Sequence, residues 1–321
     1  MKNSLILFLI FCLIQSKIVL ADQFKFLTSE IEIADNGNLI LATNGKAISI
    51  DGNLEINAKN FEYRKNINIL KAFNGTAFLK RNQIKIEFNE MEVDQKKLFF
   101  KAKKNVKIFD LNKKLFIETE EIFFDQKKNI IKSSTSSILK DSNKNVFKTR
   151  KFEYNLNDNI LKIYKANLKD LDNNIYNIDL AYINTKTNQL FGKDVSLDLN
   201  NKSFNKENEP RLKGNSIISN KDNTEITKGV FTTCKKNDDC PPWQLSAEKI
   251  DHDKKNQMIN YKNAWLKLYD IPVVYFPKFF HPDPTVDRKS GFLVPTIKNS
   301  PNSNNYLNLP YYKVISSNKD L

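Results

Sequence analysis

The feature that most narrows the choice of fold is a repeat. Short apolar stretches recur about 30 residues apart: Ile31-Glu-Ile33, Phe61-Glu-Tyr63, Met91-Glu-Val93, Ile122-Phe-Phe124, Phe152-Glu-Tyr154 and Ala181-Tyr-Ile183. Polar tracts follow several of them: Asp94-Gln-Lys-Lys97, Asp125-Gln-Lys-Lys-Asn129, Asn155-Leu-Asn-Asp-Asn159 and Asn184-Thr-Lys-Thr-Asn188. Each tract leads into a second apolar run, and Asp251-His-Asp-Lys-Lys-Asn256 repeats the pattern after a gap. The unit is strand, polar turn, strand, polar turn.

Within a unit the side chains alternate. Ile84, Ile86 and Phe88 share one face, with Lys85, Glu87 and Asn89 on the other. Leu98, Phe100, Ala102, Val106 and Ile108 likewise oppose Lys101, Lys103 and Lys107, and Phe152, Tyr154 and Leu156 oppose Glu153 and Asn155. A period of two gives each strand one oily and one wet face. No helical periodicity of useful length appears beyond the N-terminus. One strand pair cannot bury its face alone, but six or more stacked pairs make a long folded sheet with an apolar interior. That interior is either filled by its own side chains or kept open as a trough, and alternation fits both.

Residues 200–210 interrupt the rhythm with a polar, loop-like stretch. A different texture begins at Tyr269: aromatic, marked by prolines, and broken by Asp283-Pro-Thr-Val-Asp-Arg-Lys-Ser290. The start of the chain reads as a secretory signal, with a basic Met1-Lys-Asn-Ser4, an apolar run from Leu5 to Ile14 and a cleavage site after Ala21. That run is too short to span a bilayer and no longer one follows, so any insertion into a membrane uses strands. The net charge of +14 comes from lysines spread evenly among many Asn and Ile. This is a bias of the whole chain, and no nucleic-acid partner is expected from it.

No enzyme motif stands out. His252 and His281 lie in polar or proline-rich turns without a catalytic partner at a familiar spacing, and the nearby aspartates read as turn residues. Cys234, Cys240 and His252 offer only three ligands at a weak zinc spacing, so neither a metal nor a cofactor is expected. In an exported protein Cys234 and Cys240 are disulfide candidates, either with each other or with cysteines elsewhere.

Trp243 with Ala247, Asn263-Ala264, Ile271-Pro-Val-Val-Tyr-Phe-Pro277, Asp287-Arg-Lys-Ser-Gly-Phe-Leu-Val-Pro295 and Leu309-Pro-Tyr-Tyr312 together resemble the LptD family of outer-membrane lipopolysaccharide-assembly proteins, also called organic-solvent-tolerance proteins. The Arg-Lys-Ser-Gly-Phe-Leu-Val-Pro element is the most specific part. The repeat region is similar to that family's periplasmic domain, which is shared with the bridge protein LptA.

The resemblance implies an all-β fold: an open, twisted β-jelly roll followed by the first strands of an outer-membrane β-barrel. It divides the chain into a signal peptide (1–21), a periplasmic jelly roll (22–242), and a junction with the barrel's start (243–321). Lipopolysaccharide would lie in an apolar trough lined by residues such as Ile86, Phe88, Phe100, Val106, Ile108 and Ile117. It would pass to the barrel, which would release it into the outer leaflet through a lateral gate marked by Pro295 and Pro310, where a missing ladder N–H weakens strand pairing. Expected partners are an LptA-like periplasmic bridge, an LptE-like lipoprotein plug and the outer membrane. The family's disulfides join the periplasmic domain to the far end of the barrel; Cys234 matches a family cysteine, whereas the usual one near the mature N-terminus is missing. About 30 residues cannot close a barrel, so the chain reads as a fragment or a truncated product. The rival readings are a soluble LptA-like bridge, which residues 269–312 argue against, and a secreted β-solenoid enzyme or adhesin.

Overall fold

The computed structural model describes residues 23–321 except 172, 201–208, 237–240, 284–285, 287, 294–295 and 301–302. The expected signal peptide and its cleavage site lie outside the described residues. What is described is nearly all strand, with one short 3-10 turn at Asp35–Gly37.

The first seven strands are β1 (Phe24–Ala34), β2 (Leu39–Ser49), β3 (Leu54–Arg64), β4 (Ile69–Leu79), β5 (Ile84–Asp94), β6 (Phe99–Asp110) and β7 (Leu115–Asp125). The next two strand positions are interrupted, giving β8 (Ile130–Ser133), β9 (Ser137–Lys140), β10 (Val146–Thr149) and β11 (Lys151–Asn155). Regular strands then resume as β12 (Ile160–Lys169), β13 (Ile175–Asn184), β14 (Gln189–Asp198), β15 (Arg211–Ser219), β16 (Asn223–Thr232), β17 (Trp243–Asp253), β18 (Met258–Leu268) and β19 (Ile271–Pro282). All belong to one 19-stranded antiparallel sheet in which successive full-length strands pair. At the interruption β7 pairs β9 with its first half and β8 with its second.

The polar tracts form a recurrent turn. The Asp94, Asp125 and Asp253 carboxylates accept backbone N–H bonds from Lys97, Lys128 and Asn256, three residues on, at 2.8–3.0 Å. Asn184 does the same for Lys186 and Thr187. The last turn residue takes a left-handed backbone: Asn68, Leu98, Asn129, Asn159 and Asn188 have φ of 56–58°. Asparagine tolerates that region best, which is why it recurs there. Leu98, expected on the inward face, is one of these turn residues and is 37% exposed; the strand begins one residue later.

A second break falls inside the strands. Asn44, Asn74, Lys104, Asn105, Lys165, Asp194, Lys228 and Asn263 all have positive φ although they sit in mid-strand. The ladder skips them: Phe73 pairs with Glu90 and Gly75 with Phe88, leaving Asn74 unpaired. An Asn-Gly step usually makes a hairpin turn; here Asn44-Gly45 and Asn74-Gly75 make a corner within a strand. The backbones crowd at these corners. A Cβ on Gly45 would lie 2.2 Å from the Leu27 carbonyl oxygen, and one on Gly75 would lie 2.2 Å from that of Asn57, so only glycine fits.

Each corner shifts the alternation by one residue. In β3, Leu54, Ile56 and Ala58 are buried before the corner, and Phe61 and Tyr63 after it. In β5 the sequence runs Ile84, Ile86, Phe88, then Met91 and Val93. The slip keeps apolar residues pointing inward as the strand folds over. The sheet is thereby bent into two walls packed face to face in a jelly-roll-like body with one continuous core.

Candidate functional site

The interior is the one feature that runs the length of the molecule. Register places one inward residue of each strand beside the next. Along one wall a row passes from Phe26 through Ala47, Ile56, Ala77, Ile86, Ile108 and Ile117. It continues through Leu139, Phe147, Leu168, Tyr176 and Leu197 to Leu212, Phe231, Leu245 and Leu266. The facing wall carries a matching row: Ile40, Tyr63, Leu70, Val93, Phe100, Phe124, Ile131, Tyr154, Leu161, Ile183 and Leu190. At ~4.8 Å per strand the first row extends on the order of 70 Å.

The six residues expected to line a trough all face this interior. Ile86, Phe100, Val106 and Ile117 are 0% exposed, Ile108 1% and Phe88 3%. Lys85, Glu87 and Lys107 point the other way and keep contact with solvent. Near-zero exposure also means that the walls touch there, and side chains fill the space between them.

The outward face is not simply wet. Phe99 stacks on Phe123 with ring centroids 5.0 Å apart, and Phe109 lies 5.1 Å from Phe116. Lysines cover these rings: Lys132 sits 5.0 Å from the Phe123 centroid, Lys85 5.7 Å from Phe109 and Lys140 5.8 Å from Phe116. Such cation–π contacts shield outward aromatics and leave a basic outer surface.

Polar groups enter the core at several points, Ser49, Thr149 and Thr232 among them, and two clusters stand out. At the interrupted strands the Thr119 hydroxyl lies 3.1 Å from Ser133 and 2.8 Å from Thr135, and Ser137 donates to it at 2.9 Å. These hydroxyls satisfy one another where the ladder is cut. Farther out, the Tyr154 hydroxyl donates to Asp110 at 2.6 Å, and Lys113 binds the same carboxylate oxygen at 3.0 Å. Burial, reinforced by that carboxylate, pushes the Tyr154 phenol well above its usual range.

One end of the interior opens into a small aromatic recess. Phe231, Trp243, Tyr261, Phe279 and His281 line it from the sheet, and Leu293 and Leu309 from the segment beyond. The two histidines, far apart in sequence reading, converge beside it. Tyr261 is 2.9 Å from His281 Nε2, and His252 Nε2 is 2.5 Å from Asp283 Oδ2. His281 Nδ1 donates to the Pro282 carbonyl at 2.7 Å, and its Nε2 faces the Tyr261 hydroxyl. Burial holds its pKa below the ordinary value.

Past the sheet, Gly291–Phe292 pairs with Tyr311–Tyr312, and the Leu293 N–H donates to the Pro310 carbonyl at 2.8 Å. Pro310 therefore flanks the strand that leads toward Pro295, which lies outside the described residues. Arg288 of the specific motif clamps the last hairpin through Asp320, with Nε at 3.0 Å from the carboxylate, and through the Ser316 carbonyl. Cys234 is a free, half-buried thiol 3.6 Å from the Trp243 carbonyl; its candidate partner Cys240 lies outside the described residues. Among the described residues no cluster of three or more His, Cys, Asp or Glu could hold a metal. No described helix is long and apolar enough to cross a membrane, which leaves strands untouched as a means of crossing.

No family model matches the chain. Curated relatives do. The LPS-assembly protein LptD of Idiomarina loihiensis is 33% identical over 138 residues, covering 40% of this chain and 18% of that protein. The LptD of Ralstonia nicotianae is 40% identical over 101 residues, covering 32% and 12%. That of Nitrosococcus oceani is 39% identical over 99 residues, covering 30% and 13%. The chain thus spans less than a fifth of the length of the curated relatives it matches.

Proposed function

From the premise that this chain is an LptD relative, we propose that it works in lipopolysaccharide assembly at the outer membrane, as a conduit and not as an enzyme. The jelly-roll-like body is periplasmic and takes the acyl chains between its two walls, while the sugar and phosphate groups stay in water beside the basic outer surface. The acyl chains move along the apolar rows toward the aromatic recess, and from there to a barrel whose opening strands carry Pro295 and Pro310. An LptA-like bridge supplies the glycolipid, and an LptE-like lipoprotein supports the barrel.

One observation carries this reading: the unbroken inward row from Phe26 to Leu266. A filled core would carry such a row too; what the row offers a hydrocarbon chain moving between sites is a path lined by apolar side chains. The walls touch along the track, so carrying lipid requires them to part.

The test is site-specific photo-crosslinking in cells. Benzophenone side chains at Ile86, Phe88, Phe100, Val106, Ile108 and Ile117 are expected to capture lipopolysaccharide, and those at Lys85, Glu87 and Lys107 are not. Capture confined to the outward positions would reverse the face assignment, and capture at neither set would remove the conduit.

A further inference from the structure

The ends of the strands away from the corners form two rims. Turns 65–68, 95–98, 126–129, 156–159 and 185–188 lie on one rim; turns 50–53, 80–83, 111–114 and 141–145 lie on the other. The rims meet along one side of the body, and the contacts there are polar. Near the start, the Gln23 N–H donates to the Tyr63 hydroxyl at 3.4 Å. Midway, Tyr154 of one rim donates to Asp110 of the other at 2.6 Å, with Lys113 on the same carboxylate at 3.0 Å. Next along, Asn188 Nδ2 donates to Ser142 Oγ at 2.9 Å. Between these last two contacts lies a small recess, walled by Leu115 and Phe147 on one side and by Leu161 and Ile183 on the other.

The chemistry of this closure is unlike that of the interior beside it. The Asp110 side chain is 1% exposed and Lys113 16%. An apolar pair of similar size would close the rims without desolvating a charge. Asp110, Lys113, Tyr154, Ser142 and Asn188 can instead exchange each other for water when the rims separate, so the closure breaks without stranding a buried donor or acceptor. An amphiphile with its chains between the walls and its charged head in water must also keep the rims apart wherever it sits. A contact across the rims is then a barrier to movement along the track.

We propose that Asp110, Lys113 and Tyr154, together with the Ser142–Asn188 contact, form a releasable clasp that the amphiphile's headgroup must open to pass along the body. This rests on the conduit reading above. Lipid on either side of the clasp exchanges through it only while the clasp is undone.

Two variants of the full chain test this. Ser142→Cys with Asn188→Cys, in a background where Cys234 and Cys240 are serine, places a disulfide across the rims. Benzophenone at Ile56 and at Leu245 then reports lipopolysaccharide on either side. Under reducing conditions both positions are expected to label; after oxidation one is expected to fall to background and return on reduction. Equal labelling of both in the oxidised form would overturn the clasp and leave the conduit standing. No labelling at either position in reduced or unmodified protein would sink the conduit, and the clasp with it. The second variant needs no lipid. Tyr154→Phe removes the cross-rim donor to a charged acceptor, and a thiol placed by Ile117→Cys is expected to react with a soluble thiol reagent about tenfold faster in that background. An unchanged rate would show that Tyr154 does not hold the rims.

Discussion

In β3 the apolar residues Leu54, Ile56, Phe61 and Tyr63 are buried and their neighbours are polar, whereas in β19 Ile271, Val273, Val274 and Tyr275 are all 37–65% exposed. Both strands are apolar, and both pair antiparallel in the same sheet. They differ in pattern. β3 alternates, so one face can turn inward and the other meets water. The Ile271-Pro-Val-Val-Tyr-Phe-Pro277 run does not alternate, so no orientation hides it within a single bent sheet. Among the described residues it pairs only with β18 in that sheet. The outward Trp265–Tyr275 pair, with centroids 4.9 Å apart, extends the same surface. The body buries its own apolar residues; the last strand presents a patch of the kind that marks an interaction surface.

The sharpest way to break this contrast is to truncate one aromatic in the body and one aliphatic in the last strand. Phe152, with no exposed surface, is expected to cost about 3–5 kcal/mol as Phe152→Ala in chemical denaturation. Val273→Ala is expected to stay within about 0.5 kcal/mol. Comparable losses would mean that β19 is as well packed as the body.

A smaller effect is expected at the hydroxyl cluster. Thr119→Val keeps the shape but removes one of two acceptors from Ser137, which keeps the Thr135 carbonyl, and takes a partner from Ser133 and Thr135. A loss of about 1–3 kcal/mol is expected by the same measurement. No loss would indicate that the hydroxyls do not hold the interrupted strands.

Near the last strand stability should depend on acid. Burial lowers the folded-state pKa of His281 below the ordinary 6.5. The unfolded chain then binds the extra proton first, so this contribution is complete above 6.5 and is lost as pH falls toward the lowered value. His281→Gln, which still offers Tyr261 an acceptor, is expected to flatten that part of the profile of denaturation midpoint against pH. An unaltered acid slope would assign it to other groups. The smallest stability effect is expected for Ile271→Ser with Val273→Ser, both exposed: an unchanged denaturation midpoint, but weaker binding of a hydrophobic dye. Unchanged dye binding would deny that these side chains form the exposed patch.

Much of the body was legible in the residues themselves. Ile86 and Lys85 declare their faces by alternation, and Asp94 and Asp125 announce their turns by side-chain chemistry that needs no tertiary context. The corners were harder. Asn74-Gly75 looks like a hairpin turn, and only the one-residue slip between Phe88 and Met91 betrays a strand that folds over and continues. The outward rings of Phe109, Phe116 and Phe123 contradict a simple oily and wet division, because lysine stems and cation–π contacts cover aromatics that alternation alone assigns to water. His252 with Asp283, and Asp110 with Tyr154, come together only through pairing across turns and rims. No spacing in the chain encodes that proximity.

The most direct test of the interior track uses a lipopolysaccharide whose acyl chain carries a photoreactive group, with the attached peptides mapped by mass spectrometry. The expected attachment points are inward residues such as Ile56, Ile108 and Leu245. Attachment to outward residues such as Phe109 or Tyr275, with the inward positions clean, would contradict the account.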